Sequence, residues 1–444
     1  MDPQAPCDLL ILGGTHVLVD ESMRDISDGG LAIRDGRIVA VGERAALEQS
    51  YRCATVIDAS GKIVMPGLIN THTHTPMTIL RGYRDDLSLN EWLENYIWPW
   101  EHEHVNPDTV AAGSQLAIAE MVRAGITTFN DMYFYAMSTA LVAREAGVRA
   151  VVAEAYAEGG PHDFDYTLAG TAELVSTFAS DPLIRPTVAP HSLYAVAEEQ
   201  LAEMARLSER YGLPLHVHLS ETAGEVQDSL DRTGMRPPAY ADSLGLLHSR
   251  TIAAHCIHLN DDEIDLIARR GAGVSHTPQS EMKLASGIAR VPAMLEAGIA
   301  VGLGTDGAAS NNVLDILEEA KATALLHKVV ASDPTVLDAN TVVRMATIEA
   351  ARSLGMGDEI GSLETGKRAD VIILDTDAPH AVPCYDPCSH ITYVMKAADV
   401  STVIIEGRVV MDGRRLATID EEKAMSDVRR LARQTGRQKA GDSG

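Results

Sequence analysis

The sequence has few cysteines, a shortage of basic residues and no long apolar run. Its 444 residues include five cysteines, an odd number that is low for this length: Cys7, Cys53, Cys256, Cys384 and Cys388. No Cys-x-x-Cys pair occurs, and although Cys384 and Cys388 have some metal-like spacing, isolated thiols are the expectation. The start of the chain lacks the basic region of a signal peptide, and no apolar run approaches the ~20 residues of a membrane-spanning helix. These absences predict a soluble protein of a reducing, cytoplasmic setting.

The charge balance excludes some classes of partner. Lys and Arg number 37 against 63 Asp and Glu, which gives a formal net charge of -26. Such a surface repels phosphate backbones and anionic membranes, so neither nucleic acid nor a membrane is an expected partner. With 45% apolar and 23% charged residues the composition is that of a globular protein.

Strand-like patterns stand at both ends of the chain. Short apolar runs separated by glycine-rich turns occupy the N-terminal part, and similar runs return at residues 369–374 and 403–410. The simplest interpretation is one small β-sandwich domain built from both chain ends, with another domain inserted. The predicted boundaries are 1–65 and 361–425 for the sandwich, 66–360 for the inserted domain and 426–444 for a charged tail.

Strand-like runs alternate with amphipathic helical stretches in the inserted part. The helical stretches include residues 107–124, 198–211, 261–269 and 291–297, and two more follow at 313–331 and 339–354. Eight runs end near His74, Asp131, Glu154, His191, His218, His255, His276 and Asp306. Eight βα units over about 240 residues predict an α/β fold, a (β/α)8 TIM-like barrel. The candidate chemical groups lie at the C-terminal ends of the runs, the face where barrel enzymes hold their sites.

Three short motifs at these ends predict a metal site. They are His72-Thr73-His74, His218-Leu219-Ser220-Glu221 and Thr305-Asp306-Gly307. In a strand, residues i and i+2 point the same way, so His72 and His74 can hold one ion together. Imidazoles with a carboxylate suit zinc or iron(II), and three His with one Asp leave a position open for water. The pattern indicates a hydrolytic enzyme.

Two further residues are candidates for proton transfer. Glu221 follows the fifth run, and a carboxylate beside a metal but not bound to it is the usual general acid or base. The alternative is a solvated residue that starts the next helix. His255 ends the sixth run and could hydrogen-bond the attacking water and the oxyanion or ligate the metal; spacing leaves both open. Asp306 would ligate the metal and take the proton from its water, and His216 is predicted to be a core histidine.

The fourth run argues for a single metal. Two-metal hydrolases of this design usually take a bridging carboxylate, often a carbamylated lysine, from strand four. That run, residues 187–191, holds no Lys. One divalent metal per chain is therefore expected, with zinc preferred and iron as the alternative.

The chain resembles the amidohydrolase superfamily along nearly its whole length. Within it, it is similar to the 5'-methylthioadenosine/S-adenosylhomocysteine deaminase branch, which includes the triazine hydrolases. The motifs that carry this are residues 66–74, 77–82, 189–192, 218–222, 254–256 and 304–312, the last being the most specific to adenosine-type deaminases. The resemblance implies zinc or iron on His72, His74, His218 and Asp306, with His255 in the inner shell, and a homo-oligomer.

The resemblance also implies a reaction. A metal-bound hydroxide attacks the amino-bearing carbon of a heteroaromatic ring, Glu221 protonates the ring nitrogen, and ammonia leaves. Glu101 matches the position that binds ribose hydroxyls and His191 one that touches the purine. Ser310, which lies in the most specific motif, is a further candidate for substrate binding. The implied substrate is an adenosine-type nucleoside: 5'-methylthioadenosine, adenosine or 5'-deoxyadenosine. Hydrolysis of an s-triazine, guanine or pterin ring at the same site is the alternative, and a metal-free scaffold protein is a third possibility.

Two residues depart from the branch. Glu154 stands where members that accept S-adenosylhomocysteine carry an arginine for its carboxylate, and a buried unpaired Glu would repel that carboxylate. Glu281 replaces the Asn of a Pro-x-Ser-Asn string, and it could pair with Lys283 or a neighbouring chain or reach the pocket. Together these acids predict a neutral or cationic substrate, with Glu154 as a substrate-facing residue.

Overall fold

The computed structural model of the chain describes residues 4–437. Its N-terminal segment is mostly β: β1 (Ala5–Leu12), β2 (Thr15–Val17), β3 (Asp25–Ile26), β4 (Gly29–Arg34), β5 (Arg37–Glu43), α1 (Arg44–Ser50), β6 (Tyr51–Asp58) and β7 (Lys62–Pro66). Strands then alternate with helices: β8 (Leu68–Thr73), α2 (Leu89–Trp92), α3 (Trp98–His104), α4 (Pro107–Arg123), β9 (Ile126–Tyr133), α5 (Ala136–Ala146), β10 (Arg149–Tyr156), α6 (Phe164–Phe178), β11 (Ile184–Pro190), α7 (Glu198–Tyr211), β12 (Leu215–Leu219), α8 (Ala223–Thr233), α9 (Pro237–Ser243), β13 (Thr251–His255), α10 (Asp261–Arg270), β14 (Gly273–His276), α11 (Pro278–Lys283), α12 (Val291–Glu296), β15 (Val301–Leu303), α13 (Ile316–Ala331), α14 (Ala339–Met345) and α15 (Ile348–Ser353).

The C-terminal segment returns to β structure before a last helix. It comprises β16 (Val371–Asp375), α16 (Pro387–Tyr393), β17 (Val400–Ile405), β18 (Arg408–Asp412), β19 (Arg415–Leu416) and α17 (Glu421–Arg437). The predicted charged tail, 426–444, is helical as far as Arg437, and its remainder lies outside the described residues. No helix within residues 4–437 is long and apolar enough to cross a membrane.

The eight-run prediction is confirmed by the central sheet. Within the described chain, β8 to β15 form an eight-stranded parallel sheet in sequence order. Strand β15 packs against β8, and Asp306 N donates to His72 O at 3.0 Å, so the first and last strands meet and the sheet closes into the predicted barrel. The carboxyl ends of all eight strands therefore meet at one face.

The sandwich uses both chain ends, as predicted. One sheet has the order β5-β4-β1-β6, and the other has the order β19-β18-β17-β16-β7-β2-β3, so N-terminal β7 pairs directly with C-terminal β16. Buried aliphatic side chains such as Ile11, Ile33, Val64 and Ile404 fill a core of their own between these sheets. The exact domain boundaries remain predictions.

Local signals explain where helices start and stop. Helix α10 begins after Asn260, whose side chain accepts from Glu263 N while the Glu263 side chain bonds back, and it ends before Gly271 at φ 69°. The predicted helix at 339–354 is instead two helices. The break falls at Thr347, whose backbone leaves the helical region (φ -136°, ψ -92°) and whose hydroxyl donates to Val343 O.

A buried arginine joins the barrel to the sandwich. Arg149, at the start of β10, donates to both carboxylate oxygens of Asp370 at 2.9 and 3.2 Å and to Pro182 O at 2.6 Å, and it also pairs with Glu406. Asp370 and Glu406 belong to the sandwich. A charge removed from water needs such a full set of partners, so this contact depends on the two domains being docked.

Cys384 and Cys388 are free thiols, as expected, but two other cysteines form a disulfide that the sequence did not predict. Cys7 on β1 lies directly opposite Cys53 on β6 in a parallel pair, and a disulfide joins them with a Cα–Cα distance of 5.0 Å. Cys256, Cys384 and Cys388 are free within the described part of the chain. The register of β1 and β6 brings Cys7 and Cys53 together, and the spacing of the cysteines in the sequence does not predict that contact.

Candidate metal centre and active site

Three histidines converge at the carboxyl ends of β8 and β12. His74 Nδ1 donates to Met132 O at 2.7 Å and His218 Nδ1 donates to His191 O at 2.7 Å, which leaves the Nε2 lone pairs of both rings available. His72 Nδ1 is hydrogen-bonded to Nε2 of His216 at 2.9 Å, and His216 is fully buried, as predicted for a core histidine. Each ring is held through one nitrogen so that the other is free to bind.

The predicted ligand atoms fall into two overlapping groups that share His72. The ligand atoms of His72, His74 and Asp306 are within 4.8 Å of one another, and so are those of His72, His218 and His255. His72 Nε2 is buried without a hydrogen-bond partner, and Asp306 Oδ1 lies 3.3 Å from it and 3.2 Å from His74 Nε2. A buried unpartnered nitrogen beside imidazoles and a carboxylate fits a divalent metal of the zinc or iron(II) type.

Hydrogen bonds fix the carboxylate of Asp306. Its Oδ2 accepts from the hydroxyls of Ser280 at 2.6 Å and Ser310 at 2.8 Å, and its Oδ1 accepts from Gly307 N at 2.8 Å. Burial alone would raise the pKa of Asp306, but the hydrogen bonds and charges of His72 and His74 hold it well below its ordinary value. Asp306 is therefore ionised and has Oδ1 turned toward His72 and His74.

Glu221 is buried beside the same cluster. Burial, followed by the charges of Asp306, Glu225 and Glu281, raises the pKa of Glu221 well above its ordinary value. Its Oε2 lies 3.8 Å from His255 Nε2. Glu221 precedes helix α8, whose N-cap is Thr222, and the backbone N–H groups of Ser220 and Glu221 both donate to Glu225. The alternative of a solvated helix-start residue does not fit this burial, and the predicted role of Glu221 as a general acid or base stays a prediction.

The strand ends that carry these groups adopt uncommon backbone conformations. Ser220, His255, Cys256 and Asp306 have φ angles of 53°, 71°, 53° and 59°. Non-glycine residues in the left-handed region are uncommon, and they gather at sites where a side chain has to be aimed. Here the turn redirects each strand end toward the barrel axis.

A cavity of about 640 Å³ opens over the cluster. Its lining includes the predicted residues His74, Glu101, His191, His218, Glu221, His255, Asp306 and Ser310, together with apolar side chains such as Met77, Leu89, Trp92, Leu93, Ile97, Trp98, Phe134 and Leu284. None of the described lining residues is Lys or Arg.

Glu101 reaches the cavity from helix α3. It is buried and accepts a hydrogen bond from the Tyr133 hydroxyl at 2.6 Å. Burial raises the pKa of Glu101 to about 7, while the Tyr133 bond and His74 act to lower it. His191 lies on another wall, where burial and the neighbouring histidines lower the pKa of its ring to about 3, so it is neutral.

Glu154 lies outside the cavity, and its predicted contact with substrate does not fit the geometry. Its carboxylate accepts from Tyr135 N at 2.7 Å, Ala136 N at 2.8 Å and His162 Nε2 at 2.8 Å, which places it at the N-terminus of α5. Its neighbour Ala155 lines the cavity instead. Glu154 is therefore paired at the start of α5, away from the position where it could repel a substrate carboxylate in the cavity.

Glu281 also stays out of the cavity. It accepts from His276 Nδ1 at 3.2 Å and Thr277 N at 3.1 Å, whereas Lys283 pairs with Asp85 at 2.6 Å. Sequence reasoning missed the roles of Ser280, Thr277 and Tyr133 around the ligands and acids. Ser280 and Thr277 follow β14 directly, so their place after a strand end was the one signal that could have marked them.

Comparison with known proteins agrees with this site. The model of the amidohydrolase family matches residues 63–410, and that of an imidazolonepropionase-like composite domain from bacteria matches 29–52. A relative from Syntrophobacter fumaroxidans named 5-methylthioadenosine/S-adenosylhomocysteine deaminase is 44% identical, over 96% of this chain and 98% of its own. An adenosine deaminase from Xanthomonas campestris with bound zinc has a TM-score of 0.95 at 39% identity, over 98% of this chain and 99% of its own. Atrazine chlorohydrolase from Arthrobacter aurescens TC1, complexed with zinc, has a TM-score of 0.88 at 25% identity, over 96% of this chain and 100% of its own. With the family match across most of its length and the ligand cluster at the barrel face, this chain belongs to the amidohydrolase family.

Proposed function

We propose that this chain is a metal-dependent hydrolytic deaminase of an adenosine-type nucleoside, with 5'-methylthioadenosine, 5'-deoxyadenosine or adenosine as substrate. The observation that carries the proposal is that a protonated Glu221 and the Glu101–Tyr133 pair line the same cavity as the metal-ligand cluster. The first offers a proton to a ring nitrogen, and the second offers an acceptor to sugar hydroxyls. The similar proteins named as deaminases of methylthioadenosine and adenosine support the same substrate class.

One zinc ion would be held by His72, His74, His218 and Asp306. When bound, such an ion lowers the pKa of a water molecule and makes it a nucleophile near neutral pH. The buried Nε2 of His72, the aimed rings of His74 and His218 and the ionised Asp306 are the features that support this ligand set. A single ion per chain is supported by β11, whose last residues are Val188, Ala189 and Pro190 and supply no bridging carboxylate or lysine.

Glu221 supplies the proton to the ring. Because burial and the neighbouring acids raise its pKa, the protonated carboxyl is favoured, and it can donate to a ring nitrogen as the amino-bearing carbon is attacked. After donation its carboxylate can take up the proton of the hydroxyl that has added to the ring, which restores the acid, while the proton that Asp306 accepts from the water passes to the departing ammonia. The burial of Glu221 excludes bulk water from this exchange.

His255 and Asp306 control the attacking water. Asp306 is an ionised acceptor, and His255 Nε2 faces the Glu221 carboxyl at 3.8 Å. In this arrangement Asp306 accepts a proton from the nucleophilic water, and His255 hydrogen-bonds the oxygen that adds to the ring. Both are held by hydrogen-bond partners, so they need no reorganisation during the reaction.

The cavity favours a nucleoside without a carboxylate. Its described lining carries three acids, Glu101, Glu221 and Asp306, and no Lys or Arg, while much of the remaining wall is apolar. An uncharged 5' substituent fits such a wall, whereas the carboxylate of S-adenosylhomocysteine would lose water without gaining a cation. The expected weak use of S-adenosylhomocysteine therefore depends on the cavity lining and not on Glu154.

Hydrolysis of a triazine, guanine or pterin ring is the competing assignment. The similarity to atrazine chlorohydrolase at 25% identity supports it, and the same metal cluster would serve. Glu101 and Tyr133 separate the two, because a free ring has no sugar for them to bind. A homo-oligomeric state and a cytoplasmic location remain predictions from the sequence.

Ammonia release from zinc-loaded protein would test the assignment. The panel is adenosine, 5'-methylthioadenosine, 5'-deoxyadenosine, S-adenosylhomocysteine, guanine, a pterin and an aminotriazine, with zinc per chain measured alongside. We expect turnover of the first three nucleosides with one zinc per chain and much weaker turnover of S-adenosylhomocysteine. Turnover confined to a free base or triazine would reject the nucleoside assignment, and two ions per chain that are both needed would reject the single-metal site.

A further inference from the structure

A chain of buried hydrogen bonds runs from His255 away from the cavity. His255 Nδ1 is 2.9 Å from the Thr277 hydroxyl oxygen, and that oxygen is 3.3 Å from Glu281 Oε1. The same Oε1 accepts from Thr277 N at 3.1 Å and from His276 Nδ1 at 3.2 Å. All of these side chains are at most 2% exposed. The path connects a residue of the active site to an acid that does not line it.

The carboxylate sets the direction of every bond in this chain. An ionised carboxylate only accepts hydrogen bonds, so the Thr277 hydroxyl has to donate its proton to Glu281. The Thr277 oxygen is then an acceptor, and His255 has to carry its proton on Nδ1. His255 Nε2 is left with a lone pair on the side that faces Glu221. Burial acts to raise the pKa of Glu281, but His276, His255 and Thr277 lower it below its ordinary value on balance, which keeps the carboxylate ionised.

The residue type at position 281 matters for this argument. An amide at this place could donate as well as accept, so it would leave the direction of the Thr277 hydroxyl open. The Glu281 carboxylate removes that freedom. If the acceptor were lost, the hydroxyl could turn and donate to His255 Nδ1, which would move the ring proton to Nε2.

We propose that Glu281, acting through the Thr277 hydroxyl, is a positioning residue that holds His255 in the tautomer with its proton on Nδ1 and its Nε2 lone pair toward the reacting atoms. The inference rests on the role proposed for His255 in the deaminase reaction. Glu281 itself touches neither the cavity nor a metal ligand. Its effect is exerted on the orientation and tautomer of one ring.

The first test is a matched pair of variants at Thr277. Thr277→Ser keeps the hydroxyl, whereas Thr277→Val keeps the shape and removes it. We expect Thr277→Val to lower kcat about 10–100-fold, the usual effect of removing a partner of an active-site ligand, with KM and zinc content unchanged. Thr277→Ser should stay within about twofold of the original protein. Equal losses in both variants would overturn the role of the hydroxyl.

The second test asks whether Glu281 acts through Thr277. Glu281→Met removes the acceptor with little change in volume, and it is combined with Thr277→Val in a double-mutant cycle. If Glu281 acts on His255 only through the Thr277 hydroxyl, the double variant has the same kcat as Thr277→Val alone. Multiplicative losses would mean that Glu281 supports the fold by itself, and they would overturn the proposal.

The third test observes the tautomer directly, without turnover. In 15N-histidine-labelled protein, metal-free and zinc-loaded, the His255 signals are assigned by their loss in His255→Asn. We expect a protonated Nδ1 in the original protein and in Thr277→Ser, and a changed tautomer in Glu281→Met. An unchanged tautomer in Glu281→Met would reject the inference even if the deaminase assignment holds. Full turnover by His255→Asn would instead reject the catalytic role of His255 and leave the positioning result intact.

Discussion

The hydroxyl of Ser280 donates a 2.6 Å hydrogen bond to Oδ2 of Asp306. Ser280 lies on α11 after β14, and Asp306 follows β15, so the bond ties two neighbouring strand ends together. The Ser310 hydroxyl donates to the same oxygen at 2.8 Å. With Oδ2 occupied twice, Oδ1 is the oxygen left for the cluster of His72 and His74.

Removing both serine hydroxyls should weaken metal binding. For the double variant Ser280→Ala/Ser310→Ala we expect zinc affinity to fall about 10–100-fold, because such outer partners orient a ligand and are typically worth that much. Competition with a chromophoric chelator measures the affinity, and Ser310→Thr, which keeps a hydroxyl, is the matched control. Unchanged zinc affinity with a raised KM would instead support the sequence prediction of Ser310 as a substrate contact.

The Glu221→Gln variant should bind metal and substrate but turn over slowly. Gln is the same size and cannot carry the transferred proton, so kcat should fall roughly 10²–10⁴-fold while zinc content stays the same. Steady-state ammonia release measures kcat, and Glu94→Gln, at an exposed position, serves as the control. Near-normal turnover of Glu221→Gln would exclude Glu221 as the proton donor.

Nucleoside binding should depend on the ionisation of Glu101. Its pKa in the empty site is about 7, so the stronger, charged acceptor for ribose hydroxyls forms as the pH rises through that value. We expect KM to fall as the pH rises from about 6 to 8 and to vary less in Glu101→Gln. The hydrogen bond from Tyr133 lowers the pKa of Glu101, so Tyr133→Phe should raise that pKa. The fall in KM should then occur at a higher pH than in the original protein.

The raised pKa of Glu101 also makes the stability of the folded protein depend on pH. The pKa of Glu101 is about 7 in the folded protein and 4.5 in the unfolded chain, so the folded protein binds this proton more tightly. The contribution of Glu101 to the free energy of unfolding is therefore present at low pH and is lost as the pH rises from about 4.5 to 7. Glu101→Gln should remove that part of the pH dependence of unfolding, measured by denaturant titration. Glu103→Gln, at an exposed neighbouring position, is the control and should behave like the original protein. An unaltered pH dependence in Glu101→Gln would contradict the raised pKa.

Loss of Glu154 should affect stability and not specificity. Its carboxylate accepts three hydrogen bonds at the start of α5, so Glu154→Ala should lower the free energy of unfolding by about 1–3 kcal/mol. The ratio of kcat/KM for 5'-methylthioadenosine to that for S-adenosylhomocysteine should stay the same, as in the exposed control Glu158→Gln. Improved use of S-adenosylhomocysteine by Glu154→Ala would restore the sequence interpretation that the structure replaces.

The ligand cluster could be predicted because it depends on short-range patterns. His72 and His74 share a side of one strand, and the ends of parallel strands in a barrel meet at one face. Once eight runs were recognised, the meeting of His218 and Asp306 with this pair followed from the fold class alone. Glu154 does not line the cavity because a strand has two faces, and a shift of one residue moves a side chain from the cavity, where Ala155 lies, to the helices outside.

The sequence by itself determined the barrel, the two-ended sandwich, the candidate metal ligands and the candidate acid Glu221, because periodicity and strand-end position are local properties of the chain. Only the tertiary structure decided which partners hold those groups. Ser280 donates a hydrogen bond to Asp306, Tyr133 donates one to Glu101, and Thr277 links His255 to Glu281. Cys53 forms a disulfide with Cys7. These contacts join residues from separate strands and helices. Their existence depends on register, helix placement and side-chain direction, which are fixed only when the whole core packs.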